Sequence, residues 1–161
     1  MANAPKKKGT QFETSCVNYL RAIAGIEARR EALHGSEDIG DLALVIHGRP
    51  FTAECKCVES VSTTTLAKFR LQTTVESMRA GSDGGILLQW IPGKGYRWDA
   101  SPDGERAKSF GENVAHMTIE TLLLVAGATG ELDIDAEVAQ TWVALTMKDL
   151  AILAMEVPDG R

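Results

Sequence analysis

Apolar and polar positions recur along this chain with two different periods, and the changes of period mark its elements. From Thr10 onward, Phe12, Cys16, Val17, Tyr19, Leu20 and Ile23 fall on one broad face of a helix, and Gly25 is a natural stop. Thr10 followed by Glu13 fits a capping box at its start. The polar residues 1–9 ahead of it, with Lys6, Lys7 and Lys8 in a row, read as a flexible basic arm. A short extended segment over 28–33 leads into the polar turn HGSEDIGD (34–41). Two β-type runs follow, LALVI (42–46) and FTAECKCV (51–58), and the HGRP between them is a four-residue hairpin connection. After a Ser/Thr-rich turn at 60–65, Leu66, Phe69, Thr73, Val75 and Met78 predict a helix ending near Gly81. GGILLQWIP (84–92) is too short for an ordinary helix and reads as a buried strand.

The remainder holds an internal echo. VAHMTIETLLLVA (114–126) aligns with WVALTMKDLAILA (142–154), placing Thr118 over Thr146. Each unit reads as a short strand, a Thr N-cap and an apolar helix, and Thr146 with Asp149 fits a capping box. Two copies do not make a repeat architecture. The order of helix, hairpin, helix, strand and then mixed elements gives an α/β or α+β class, in one domain over 10–161 with an acidic C-terminal extension from about 111.

Composition changes this picture only in places. No apolar run approaches the roughly 18–20 residues of a membrane span. The lysine run has no apolar stretch behind it, so it is not a secretory signal, and a cytoplasmic protein without membrane partners is expected. Three cysteines, Cys16, Cys55 and Cys57, read as free thiols. Cys55 and Cys57 lack a second Cys/His pair at zinc-ligand spacing and are expected to pack beneath the sheet. The net charge of −5 hides an asymmetry: residues 1–110 carry 15 Lys/Arg against 13 Asp/Glu, and residues 111–161 carry 2 against 9. The first two-thirds are therefore mildly basic, and net charge does not exclude a nucleic-acid partner.

The chemistry is concentrated between Asp41 and Lys56. Alternate strand residues share a face, so Glu54 and Lys56 point one way while Ala53, Cys55 and Cys57 point the other. If HGRP is the whole loop, Ile46 pairs with Phe51, Ala43 lies opposite Glu54, and Asp41 lies opposite Lys56 and diagonal to Glu54. That register brings two carboxylates and a lysine to one point, and a one-residue slip would disperse them. Two hard oxygen ligands with room for water suit Mg²⁺, with Mn²⁺ as the expected substitute. Such an ion polarises a phosphodiester and holds an attacking water, while Lys56 orients that water or offsets charge on the phosphate. Glu13, on the first helix, is a candidate third carboxylate. The plainer alternative is a turn aspartate and an exposed Glu–Lys pair.

At these residues the sequence resembles the PD-(D/E)xK nuclease superfamily, and more closely the Holliday junction resolvases of archaea and bacteriophages. The resemblance covers about 7–92: KKGTQFETSCVNYLRA, ARREALHGSEDIGDLAL, FTAECKC and KFRLQTTVESMRAGSDGGILLQW. WVALTMKDLAIL is similar to the ending of phage members. It implies a restriction-endonuclease-like mixed β-sheet flanked by helices, and a homodimer that brings two Mg²⁺ sites to a four-way DNA junction. Asp41, Glu54 and Lys56 then form the core site. Glu13 matches the family's helix glutamate, Ser36 falls where archaeal members carry a serine near the scissile phosphate, and Gln72 sits where related nucleases place a supporting polar residue. Gly40 replaces the motif's leading proline, and 93–140 matches no part of the pattern.

The other candidates keep two readings each. Lys6, Lys7 and Lys8 clamp a phosphate backbone or form a solvated tail. Arg29 and Arg30 contact phosphate or pair with Glu27 or Glu31, and Lys68 and Arg70 share that ambiguity. His34 is a proton shuttle or a loop histidine, and His47 lies in a turn. Trp90 and Trp98 stack on unpaired bases or fill the core. The apolar unit at 142–154 is a candidate dimer interface. Rival functions are a restriction-type or repair nuclease on duplex or flapped DNA, a non-catalytic DNA-binding module, and a structural interaction protein.

Overall fold

The computed structural model describes residues 4–32, 38–98 and 105–155. Its first helix, α1 (Ala4–Tyr19), runs on as a π-helical turn, Leu20–Ala24, and ends at Gly25 in the left-handed conformation. The helix thus starts six residues before the predicted capping box. Lys6, Lys7 and Lys8 belong to its first turns and not to a flexible arm, and Thr14 Oγ1 donates back to the Thr10 carbonyl inside it. What holds this polar start is tertiary: Lys8 Nζ lies 3.5 Å from the centre of the Trp90 ring and 2.8 Å from Glu59 Oε1.

Six strands form one mixed sheet in chain order: β1 (Glu27–Arg30), β2 (Leu42–Ile46), β3 (Arg49–Lys56), β4 (Gly85–Gln89), β5 (Val114–Thr118) and β6 (Trp142–Thr146). All neighbours are antiparallel except β3 and β4, which α2 (Thr63–Ala80) connects as a parallel pair. Ser62 caps α2 by accepting from Thr65 N, and Gly81 ends it in the left-handed conformation. The expected mixed α/β sheet flanked by helices is the architecture found.

The hairpin differs from the sequence reading in register. His47 (φ 50°) and Gly48 (φ 74°) alone make the turn, and Arg49 and Pro50 join β3. A two-residue loop with both positions left-handed matches the twist of the strands it joins. Leu42 therefore pairs with Ala53 and Ile46 with Arg49, a slip of two residues from the expected pairing. Because the side-chain period is two, every residue keeps its expected face.

One face of the sheet meets the main core, where Leu42, Leu44, Phe51, Ala53, Ile86, Leu88, Ala115 and Met117 pack with Phe12, Cys16, Leu20, Phe110 and Leu150. The three cysteines are free, with Cys16 buried and Cys55 and Cys57 packed against this core. Trp90 and Trp98 are buried in it too, which removes them as base-stacking candidates. The acidic third is built into the fold and is not an appended extension. After β5 comes α4 (Ile119–Val125), capped by Thr118; after β6 comes α6 (Met147–Ala154), capped by Thr146. Between them lies the short α5 (Ala136–Ala139), while α3 (Glu105–Gly111) precedes β5. The echoed units thus run antiparallel, Val114 beside Thr146 and Thr118 beside Trp142. His47 Nε2 lies 3.0 Å from the Val125 carbonyl and 3.3 Å from that of Leu153, tying the hairpin turn to the ends of α4 and α6. No helix among the described residues is long and apolar enough to cross a membrane.

Candidate active site

The opposite face of the sheet carries Thr52, Glu54 and Lys56 from β3, and α2 lies across it. That helix is inverted in polarity. It buries Thr73, Glu76 and Ser77, while Leu71 is 65% exposed and Met78 75% exposed. The sheet beneath it is polar, so a helix packed there gains by turning hydrogen-bonding groups inward. Gly85 lets it come close: a Cβ on Gly85 would stand 2.9 Å from the Thr73 carbonyl oxygen and 3.0 Å from Thr73 Cγ2.

Extending the hairpin ladder by one residue brings Asp41 alongside Glu54, closer than the diagonal placement expected. Two backbone hydrogen bonds and one to its side chain fix it. Asp41 N donates to the Ala53 carbonyl at 3.0 Å, its own carbonyl accepts from Glu31 N at 2.8 Å, and its Oδ2 accepts from Cys55 N at 2.8 Å. Gly40 makes the approach possible with φ 91°, where a Cβ would sit 2.5 Å from Thr52 Cγ2. Proline, locked near φ −65°, does not fit there.

Glu54 is 3% exposed. Its Oε1 accepts from Lys56 Nζ and, at 3.0 Å, from Gln72 Nε2; its Oε2 is buried without a hydrogen-bond partner. Gln72 Nε2 also donates to Glu76 Oε1 at 2.7 Å. Glu76, 2% exposed, leaves its own Oε2 buried and unpartnered. Burial, with the Glu54 carboxylate beside it, pushes the Asp41 carboxyl up to about 7. Burial does the same to Glu54, raising it to about 7 against the opposing pull of Lys56, and Glu76 adds to the rise. Desolvated carboxylates facing one another are stabilised by a proton or by a cation.

The structure therefore brings Asp41, Glu54, Lys56 and Gln72 together, through a register other than the one expected. Glu13 lies near enough to raise the Asp41 carboxyl, but its Oε2 is held by Arg30, 2.6 Å from Nη2. Arg29 pairs with Glu31 at 3.1 Å. Of the predicted phosphate contacts, Lys8, Arg29 and Arg30 thus have partners within the protein, while Lys6, Lys7 and Lys68 are exposed. Ser36 and His34 lie outside the described residues. Among the described residues no three His, Cys, Asp or Glu side chains form a ready-made metal cage. The sequence reading missed Glu76, whose only signal is its i, i+4 spacing from Gln72 on α2.

No protein-family model, characterised protein or solved structure matches the chain.

Proposed function

We propose that the protein is a Mg²⁺-dependent DNA endonuclease working through Asp41, Glu54 and Lys56. One observation carries this reading: two desolvated carboxylates and a lysine converge on a single turn of sheet, with Glu54 Oε2 buried and unpartnered. A purely structural hairpin gains nothing from that arrangement, because unmatched buried carboxylates cost stability. The donor set fits a divalent cation that keeps several waters, since Mg²⁺ is commonly held by one or two carboxylates plus phosphate oxygens. Such an ion, when bound, supplies Lewis-acid polarisation of the phosphodiester and an activated water.

The chain's own residues do the rest. Asp41 is held rigidly by the backbone of β3, so its free oxygen presents a fixed position. Gln72 and Lys56 set the orientation of Glu54. Lys56, on the same face, places positive charge where the phosphate gains negative charge. Lys56 also lies 5.1 Å from the Phe69 ring, which narrows its range of motion.

The resemblance to junction resolvases supports a four-way junction as substrate and a homodimer as the working form. Labelled junction and matched linear duplex, each with Mg²⁺ or with EDTA, test this. Metal-dependent nicks in the junction arms are expected, and Glu54→Gln should abolish them while leaving binding intact. Absence of cleavage on every DNA offered, with Mg²⁺ or Mn²⁺, refutes the nuclease reading. Faster cutting of duplex removes only the junction.

A further inference from the structure

Beyond the Asp41–Glu54–Lys56 cluster, the same face of the sheet carries a second polar group. His116 on β5 stands in the same cross-strand row as Glu54, with Leu87 between them. Two ordinary strand spacings put it about 10 Å from Glu54. Its Nε2 lies 2.8 Å from Gln89 Oε1, which can only accept, so Nε2 carries the proton and Nδ1 is left as an acceptor. Arg70, reaching over from α2, donates Nη2–H to that Nδ1 at 3.3 Å. On its other side the guanidinium lies 5.4 Å from the Trp142 ring centre.

Arg70 is half-buried, and its Nε is buried without a hydrogen-bond partner. No carboxylate among the described residues makes an ion pair with it, whereas Lys8, Arg29, Arg30, Arg49 and Lys56 each have one. Its neighbours are a neutral imidazole and an aromatic face. Burial together with the Arg70 charge pushes His116 down to about 4, so it stays neutral near pH 7. A partly desolvated cation braced on two sides by neutral groups, with donors to spare, is arranged for an anion from outside.

We propose that Arg70, braced by His116 and Trp142, is a second phosphate-binding point that takes a backbone phosphate away from the scissile one. The substrate is then a polynucleotide spanning at least two such points on this face, and not a mononucleotide or a small phosphate ester. This rests on the nuclease reading and adds the direction in which the strand runs: from the β3 site, past α2, toward β5 and β6.

The test is fluorescence anisotropy of the protein with labelled junction and duplex in EDTA, over a range of salt, beside cleavage in Mg²⁺. Arg70→Gln should weaken binding about tenfold or more, the worth of one charge-assisted contact. It should also make the salt dependence shallower by about 0.9 in log–log slope. Arg70→Lys keeps the charge and serves if the glutamine variant does not fold; it should keep the wild-type slope while regaining only part of the affinity. Wild-type affinity and slope in Arg70→Gln would overturn the proposal, as would a weaker binding with no change of slope. If the wild-type protein cuts DNA and Arg70→Gln binds normally, only this inference falls. If the wild type neither binds nor cuts DNA, the nuclease reading falls and takes this one with it.

Discussion

Asp41 and Glu54 carry opposite demands of folding and chemistry. Both carboxyls are raised to about 7, so the folded chain binds their protons more tightly than the unfolded chain does. Their contribution to stability is therefore fully favourable below the ordinary carboxylate range of about 4 and is lost as pH rises through about 7. The Asp41→Asn/Glu54→Gln double variant imitates the protonated pair at every pH. In EDTA it should melt higher than wild type at pH 8, and the gap should narrow as the pH falls and close only near or below the ordinary carboxylate range of about 4. Mg²⁺ added at pH 8 should raise the melting temperature of wild type and leave the variant unmoved, and cleavage should decline below about pH 7. A wild type that melts higher than the variant at pH 8 without metal would contradict the burial argument. Glu76 sharpens the point, since it adds to the rise of Glu54. Glu76→Gln should shift the acid limb of the cleavage profile to lower pH, read from initial rates on a junction substrate. Asp41, Glu54 and Lys56 were legible because strand alternation fixes their shared face. Glu76 was not, because a glutamate amid Leu71, Val75 and Met78 looks like a solvent-facing residue on an ordinary amphipathic helix.

At the scale of elements, α2 and the hairpin decide whether those residues meet. Gly85→Ala would drive a methyl into the Thr73 carbonyl and within 3.2 Å of Ser77 Cβ, lifting α2 from β4. A loss of about 1–3 kcal/mol is expected, as for other overpacked sites, measured by urea denaturation. Cleavage should fall further than that loss explains, because Gln72 moves away from Glu54; unchanged cleavage would detach α2 from the site. The helices after β5 and β6 were readable from their threonine caps, and α2 from its serine/threonine entry and Gly81. The length of the turn was not, since HGRP as a string does not reveal that two of its residues continue a strand. The shared face of Asp41, Glu54 and Lys56 survived only because the slip was even. The start of α1 was hidden for a different reason: contacts of Lys8 with Trp90 and Glu59 hold it, and those residues are far away in sequence.

Across the whole molecule, the acidic third supplies two of six strands and much of the core. The negative total is thus a property of one end of a continuous sheet. The proposed resolution of a junction requires two sites related by two-fold symmetry. Light scattering with junction DNA is therefore expected to report two chains of 17.3 kDa per junction, and one chain per junction would leave a nicking enzyme. In the chain itself, α6 turns Met147, Leu150, Ala151 and Ala154 into its own core, leaving Ile152 and Met155 exposed. Within the expected 142–154 interface, Ala144 and Ile152 are exposed and Trp142, Val143, Leu145 and Leu153 half-buried, while the larger exposed apolar row is Leu71, Val75 and Met78 on α2.

A sheet whose spatial order repeats its chain order has a kinetic consequence. Each strand finds its partner in the next stretch of polypeptide, so few distant segments must meet by chance and the loop-closure penalty stays small. Asp41, Glu54, Gln72 and Glu76 all lie within one such run, from the hairpin through the following helix. Pulse-labelled hydrogen exchange during refolding should show amides of β2, β3 and α2 protected no later than those of β6. On a ribosome, the half that carries the candidate site would be able to take shape while the last strand and its helix are still being made.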